Sequence, residues 1–165
     1  TLLIEQVRVS SSDIRPDRLY GVSTGGEMDA IHVEWLSVSG FGSNRSTAFE
    51  LELAGMGAIR GNFLWNPVES LISFNPLNLA TAGGDITGEG CLWLRAPLGL
   101  SLDLEADVLD LDAIRASLPR FAGGEGGGVP DGLAIRLNAN ALQSGGTIAR
   151  GVEFRLGTPR DCQGP

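Results

Sequence analysis

The stretch 100-LSLDLEADVLDLDAIRASLP-119 decides the reading of the fold. Leu98, Leu100, Leu102, Leu104, Ala106 and Val108 fall on alternate positions, with Ser101, Asp103, Glu105 and Asp107 between them. That period of two is the signature of a strand with one apolar and one solvated face. At Asp110 the period changes. Asp110 is placed to cap a helix and Asp112 to sit at its positive end, while Leu111, Ile114 and Leu118 have the spacing of one apolar stripe, which Pro119 ends. A helix of about two turns is not stable alone in water, so it must rest on the sheet or close the end of its core.

Outward from this stretch, the chain repeats the strand pattern between glycine-rich turns. TLLIEQVRVS reads as a first strand, followed by a loop from Pro16 to Gly26. Between Met28 and Ser39 the apolar parity slips from Ile31, Val33 and Trp35 to Leu36 and Val38, which calls for a bulge near Trp35 or Leu36. In TAFELELAG, Phe49, Leu51 and Leu53 oppose Glu50 and Glu52. AIRGNFLW follows, then SLISFNPLNLA, whose Pro76 argues for an edge or bent strand. GGDITGEG reads as a separator before CLWLRA, and GGEGGG (123–128) as a flexible connector rather than a phosphate cradle, since no Lys-Ser/Thr ending or helix follows it. Two last strands place Leu133, Ile135 and Leu137 on one face, and Val152, Phe154 and Leu156 on one face. The expectation is one mostly antiparallel all-β domain over residues 1–165, a curved sheet or a β-sandwich, with one short helix.

Composition narrows the function. Twenty acidic residues against 12 basic ones give a net charge of −8, which disfavours nucleic acid and charge-driven docking on an anionic membrane. No apolar run approaches the roughly 20 residues of a transmembrane helix. A chain that opens on Thr1 is compatible with a mature form or an excised module whose anchor lies elsewhere. Cys91 and Cys162 are the only cysteines, too few for a thiolate metal cage and compatible with either one disulfide or two thiols.

The elements VLDLDAIRASLP, GLAIRLNANAL and GGTIARGVEFRL together resemble the C-terminal repeat pattern of the AsmA-like envelope protein family, and more loosely the N component of bacterial type II secretion systems. The similarity spans Leu98 to Leu156. It implies a Gram-negative envelope protein of the periplasm, associated with the inner membrane, and a curved sheet whose apolar face serves lipid movement, secretion or envelope biogenesis. The chain departs from the family pattern in being short and lacking the membrane helix.

On that reading there is no chemical step, no catalytic residue, no metal and no cofactor, and the expected partners are lipid acyl chains or envelope proteins. Candidate groove residues are Phe49, Leu51, Leu53, Leu100, Leu102, Leu104, Ile135, Leu137 and Phe154. The same residues serve equally as a closed core. A carbohydrate-binding β-sandwich, with Trp65 beside Asn62 and Asn66 as a stacking platform, is the alternative from another class, and a structural subunit joined through edge strands is a third. His32 is the single imidazole and has no nucleophile beside it in the pattern; Ser10, Ser11 and Ser12 read as a loop run. Asp107, Asp110 and Asp112 form the one acidic group with any claim on calcium, without the twelve-residue spacing of a calcium loop. Asn44, Arg45 and Ser46 read as a turn between strands.

Overall fold

The computed structural model describes residues 4–14, 31–41, 45–95, 98–117, 132–158 and 162. Nine strands lie side by side in sequence order: β1 (Ile4–Ile14), β2 (Ile31–Phe41), β3 (Ser46–Leu53), β4 (Gly57–Asn66), β5 (Leu71–Thr81), β6 (Gly84–Trp93), β7 (Gly99–Asp110), β8 (Leu133–Ser144) and β9 (Thr147–Leu156). One helix, α1 (Leu111–Ser117), follows β7. The sheet is curved and does not close into a barrel. Of the two architectures expected, it is the curved sheet; no second sheet lies over it among the described residues.

Every neighbouring pair is antiparallel except β7 and β8, which run parallel. A parallel neighbour needs a crossover, and α1 lies within the connection from β7 to β8. Asp110 caps α1 as expected: its Oδ1 accepts from the N–H groups of Asp112 (2.9 Å) and Ala113 (3.1 Å). Asp112 also reaches beyond the helix, accepting from Gly145 N (2.6 Å) and Ser144 Oγ (3.2 Å), and so ties α1 to the β8–β9 turn. Ile114 packs on the apolar cluster of the sheet, whereas Leu111 is exposed, which removes it from the expected stripe. Leu118, Pro119, the Pro16 to Gly26 loop and the 123–128 connector lie outside the described residues.

Three irregularities set which side chains face inward. The bulge expected near Trp35 is present, between Val33 and Trp35 in the β2–β3 ladder. In β5 the register shifts between Phe74 and Leu77 against both neighbours, so Pro76 sits in a bulge of an interior strand and the edge alternative is excluded. Leu77, just past it, is flanked in register by Gly61 and Gly88. A Cβ at Gly88 would lie 2.1 Å from the Asp103 carbonyl oxygen, and one at Gly61 2.2 Å from that of Pro76, so only glycine allows these backbones to approach.

The third irregularity corrects the reading of β7. Ile86 pairs with Ala106, but the Asp110 N–H donates to Gly83 O (2.7 Å), one residue out of that register. The extra residue in β7 turns Leu109 inward, where it is 0% exposed, and leaves Val108 53% exposed on the other side. Leu98 precedes the strand and is likewise exposed. The supposed separator GGDITGEG is also corrected: from Gly84 onward it is part of β6. Ser10 to Ser12 belong to β1 rather than to a loop.

Candidate functional site

Tracing register from strand to strand shows what the irregularities achieve. Val38, Phe49, Gly61, Leu77, Gly88, Leu104, Leu137 and Phe154 are successive partners from β2 to β9. One step along, Val9, Leu36, Leu51, Ile59, Leu79, Ile86, Ala106, Ala139 and Val152 form a second unbroken row from β1 to β9. At a strand spacing of about 4.8 Å, eight gaps make this row roughly 38 Å wide. No charged residue interrupts either row. The adjacent row on the opposite face reads Arg8, Ser37, Glu50, Arg60, Asn78, Thr87, Glu105, Asn138 and Glu153, polar throughout.

All nine groove candidates lie on the apolar face. Phe49, Leu51 and Leu53 come from β3, Leu100, Leu102 and Leu104 from β7, Ile135 and Leu137 from β8, and Phe154 from β9. Phe49, Phe63 and Phe74 add an aromatic patch, with ring centroids 5.9 to 6.5 Å apart. The tightly packed part of this face is small: Leu77, Ile86, Leu104, Ala106, Leu109 and Ala139 are buried, while Phe49, Ile59, Phe74, Leu79, Leu102, Ile135 and Leu137 around them are only partly so. Phe154, at the β9 edge, is 50% exposed. Beneath α1 the face deepens into an apolar cleft of about 160 Å³, bounded by Leu53, Met56, Ile59, Leu79 and Ile114.

The polar face is held by side-chain pairs between neighbouring strands. Arg60 Nε donates to Glu50 Oε1 at 2.7 Å, and Asn75 Nδ2 to Glu89 at 2.9 Å. Across the parallel pair, Arg136 grips Asp103 with two hydrogen bonds, one of them 2.9 Å from Nε to Oδ1, and Asn140 donates to Asp107 at 2.8 Å. The hydrogen bond and charge of Asp103 raise Arg136 above its ordinary pKa. Arg8 stands 5.6 Å over the Trp35 ring on the same side. Towards the Trp93 end of β6 on this face, Cys91 is fully buried and bonded to Cys162, with Cα atoms 5.5 Å apart, which settles the cysteine pairing left open by the sequence.

The residues with a claim to other chemistry are put to other uses. Asp107, Asp110 and Asp112 hold Asn140, the α1 terminus and the β8–β9 turn respectively, and among the described residues no group of acids, histidines or cysteines is placed to hold a metal. Trp65 pairs with Ile72 and is half-buried. His32 is half-buried near the start of β2, and its carbonyl accepts from Ala54 N. A shallow polar hollow of about 500 Å³ lies between Asp85, Thr87, Glu105, Asp107, Asn138 and Asn140. Sequence reasoning missed Ile86 and Leu109: glycines at alternate positions hide the strand around Ile86, and Val108 stands where simple alternation wants the buried residue.

Comparison with protein-family models, with curated proteins and with solved structures returned no match.

Proposed function

We propose that this chain is a non-enzymatic component of the bacterial cell envelope that carries lipid acyl chains on the apolar face of its sheet. The observation that carries the reading is the pair of uncharged rows, one of them crossing all nine strands, on a face whose only other described element is α1. An acyl chain laid on such a face is removed from water at about 25 cal/mol per Å², or about 0.8 kcal/mol for each fully covered methylene. Ten covered methylenes give roughly 8 kcal/mol before ordering costs, ample for reversible carriage. The cleft under α1 offers an apolar seat for a chain end. The Cys91–Cys162 disulfide supports a home in an oxidising compartment such as the periplasm, in keeping with the resemblance to the AsmA-like family. Among the described residues no helix is long and apolar enough to cross a membrane.

The test is titration of the protein with a fluorescent fatty acid. Wild type is expected to bind it, and Leu51→Glu and Phe154→Glu, each placing a charge in one of the two rows, to weaken binding at least tenfold while the far-ultraviolet spectrum stays unchanged. Equal binding by the variants would refute the reading. β1 and β9, which have no further strand beside them among the described residues, favour a second reading, in which a strand of another envelope protein adds to the sheet.

A further inference from the structure

We infer that the outer edge of β9 pairs antiparallel with the same edge of a second copy of this chain, about a two-fold axis at Phe154; the inference goes beyond the acyl-carriage reading and does not depend on it. β9 has no further strand beside it among the described residues. Of its ten residues only Val152 and Leu156 are half-buried, and the other eight are exposed. An outer strand leaves its outward N–H and C=O groups ready to pair with another strand, and natural sheets commonly blunt such an edge with a proline or a bulge. From Val152 to Leu156 there is neither, and the segment runs in unbroken register against Ala139 to Ile135 of β8.

The sequence of the edge itself selects a second copy as the partner. The segment 151-GVEFRLG-157 is its own complement about Phe154. In an antiparallel pair centred there, Val152 stands opposite Leu156, Glu153 opposite Arg155 and Phe154 opposite Phe154, and each contact off the axis occurs twice, as a two-fold interface requires. Directly opposed residues share a face of the sheet. Val152, Phe154 and Leu156 lie in register with Ala139, Leu137 and Ile135 on the apolar face, and Glu153 and Arg155 with Asn138 and Arg136 on the polar one, so apolar meets apolar and acid meets base. Gly151 (φ 61°) and Gly157 (φ 70°) end the extended run at equal distances from its centre.

Charge also sets the register. Within one chain Arg155 and Glu153 form an ion pair at 2.6 Å, with both side chains exposed. At the two-fold axis each Glu153 lies beside its own Arg155 and opposite the partner's Arg155. Moving the centre one residue either way sets Glu153 against Glu153 or Arg155 against Arg155. Phe154, half exposed in the single chain, is covered by its counterpart. The apolar row that ends at Phe154 then continues into the same row of the second copy, and both apolar faces stay open. A single strand edge buries less surface than the interface of a permanent dimer, so the pair dissociates on dilution.

The experiment is sedimentation of the whole chain over a dilution series, with oxidative cross-linking of added cysteines as the probe of register. Wild type is expected to pass from one chain of 17.3 kDa to twice that mass as concentration rises. Glu153→Arg, which opposes like charges twice, is expected to raise the dissociation constant at least about tenfold, and the exchanged Glu153→Arg, Arg155→Glu chain to bring it back. Directly opposed Cα atoms lie about 4.5–5.5 Å apart, within reach of a disulfide, so Phe154→Cys should cross-link to its own copy. Ile148→Cys, exposed on the same strand but roughly 40 Å from its counterpart in this register, should not. Folding is checked by circular dichroism and by the intact Cys91–Cys162 bridge. A wild-type chain that stays monomeric, cross-linking of Ile148→Cys as fast as Phe154→Cys, no recovery in the exchanged chain, or growth beyond the dimer through β9 meeting β1 overturns the pairing.

Discussion

The adjacent residues Val108 and Leu109 offer a sharp test of how β7 is built. Regular alternation through Leu104 and Ala106 makes Val108 the buried residue and Leu109 the exposed one; the extra residue before Asp110 reverses them, to 53% and 0% exposed. Leu109→Ala removes a fully buried branched side chain from beside Ile114 and the apolar cluster, and is expected to cost about 3 kcal/mol in lost transfer energy and cavity. Val108→Ala removes methyl groups already in contact with water and costs about 1 kcal/mol or less. The difference, about 2 kcal/mol, corresponds for a chain of this length to a gap in Tm of roughly 6 °C. Urea denaturation of both variants with the disulfide intact measures it. A Val108→Ala cost equal to or above that of Leu109→Ala would refute the extra residue and the inward turn of β7 into α1.

Other expectations follow from single contacts. Gly88→Ala places a Cβ 2.1 Å from the Asp103 carbonyl oxygen, so it should destabilise by about 1–3 kcal/mol or more, visible as a lower urea midpoint. The Cys91–Cys162 bridge closes a loop of sequence separation 71, and Cys162→Ser should lower stability by up to about 4 kcal/mol, measured against wild type in the absence of reductant. Asp110→Ala loses the two N–H contacts at the start of α1 and should cost about 1 kcal/mol, with Asp110→Asn restoring most of it. Because the Arg136 pKa is raised, the contribution of that pair is fully present below the ordinary arginine value and is lost only as pH rises through the raised one; Arg136→Gln should therefore leave the shape of a stability profile from pH 5 to about pH 9 unchanged.

Much of the architecture was legible where polar residues alternate with large apolar ones. In β3, Phe49, Leu51 and Leu53 between glutamates leave one assignment of faces, and the slip from Val33 to Leu36 announced a bulge. The nine groove candidates share a face for the same reason. Legibility failed where glycine replaces the apolar residue, because Gly84, Gly88 and Gly90 leave β6 without a readable period although Gly88 and Gly90 stand in register with Leu104 and Leu102. It failed again at Val108 and Leu109, both apolar, where register with β6 decides and local pattern does not. The parallel pairing of β7 and β8 is a choice of neighbour, which no strand encodes by itself.

The most direct test of acyl carriage is native mass spectrometry of the protein purified from an envelope-containing host, with organic extraction and lipid analysis of the same sample. The account predicts phospholipid or fatty acid at near one-to-one occupancy, reduced in the Phe154→Glu variant. A lipid-free protein from that host, with the disulfide formed and the sheet intact, would contradict it.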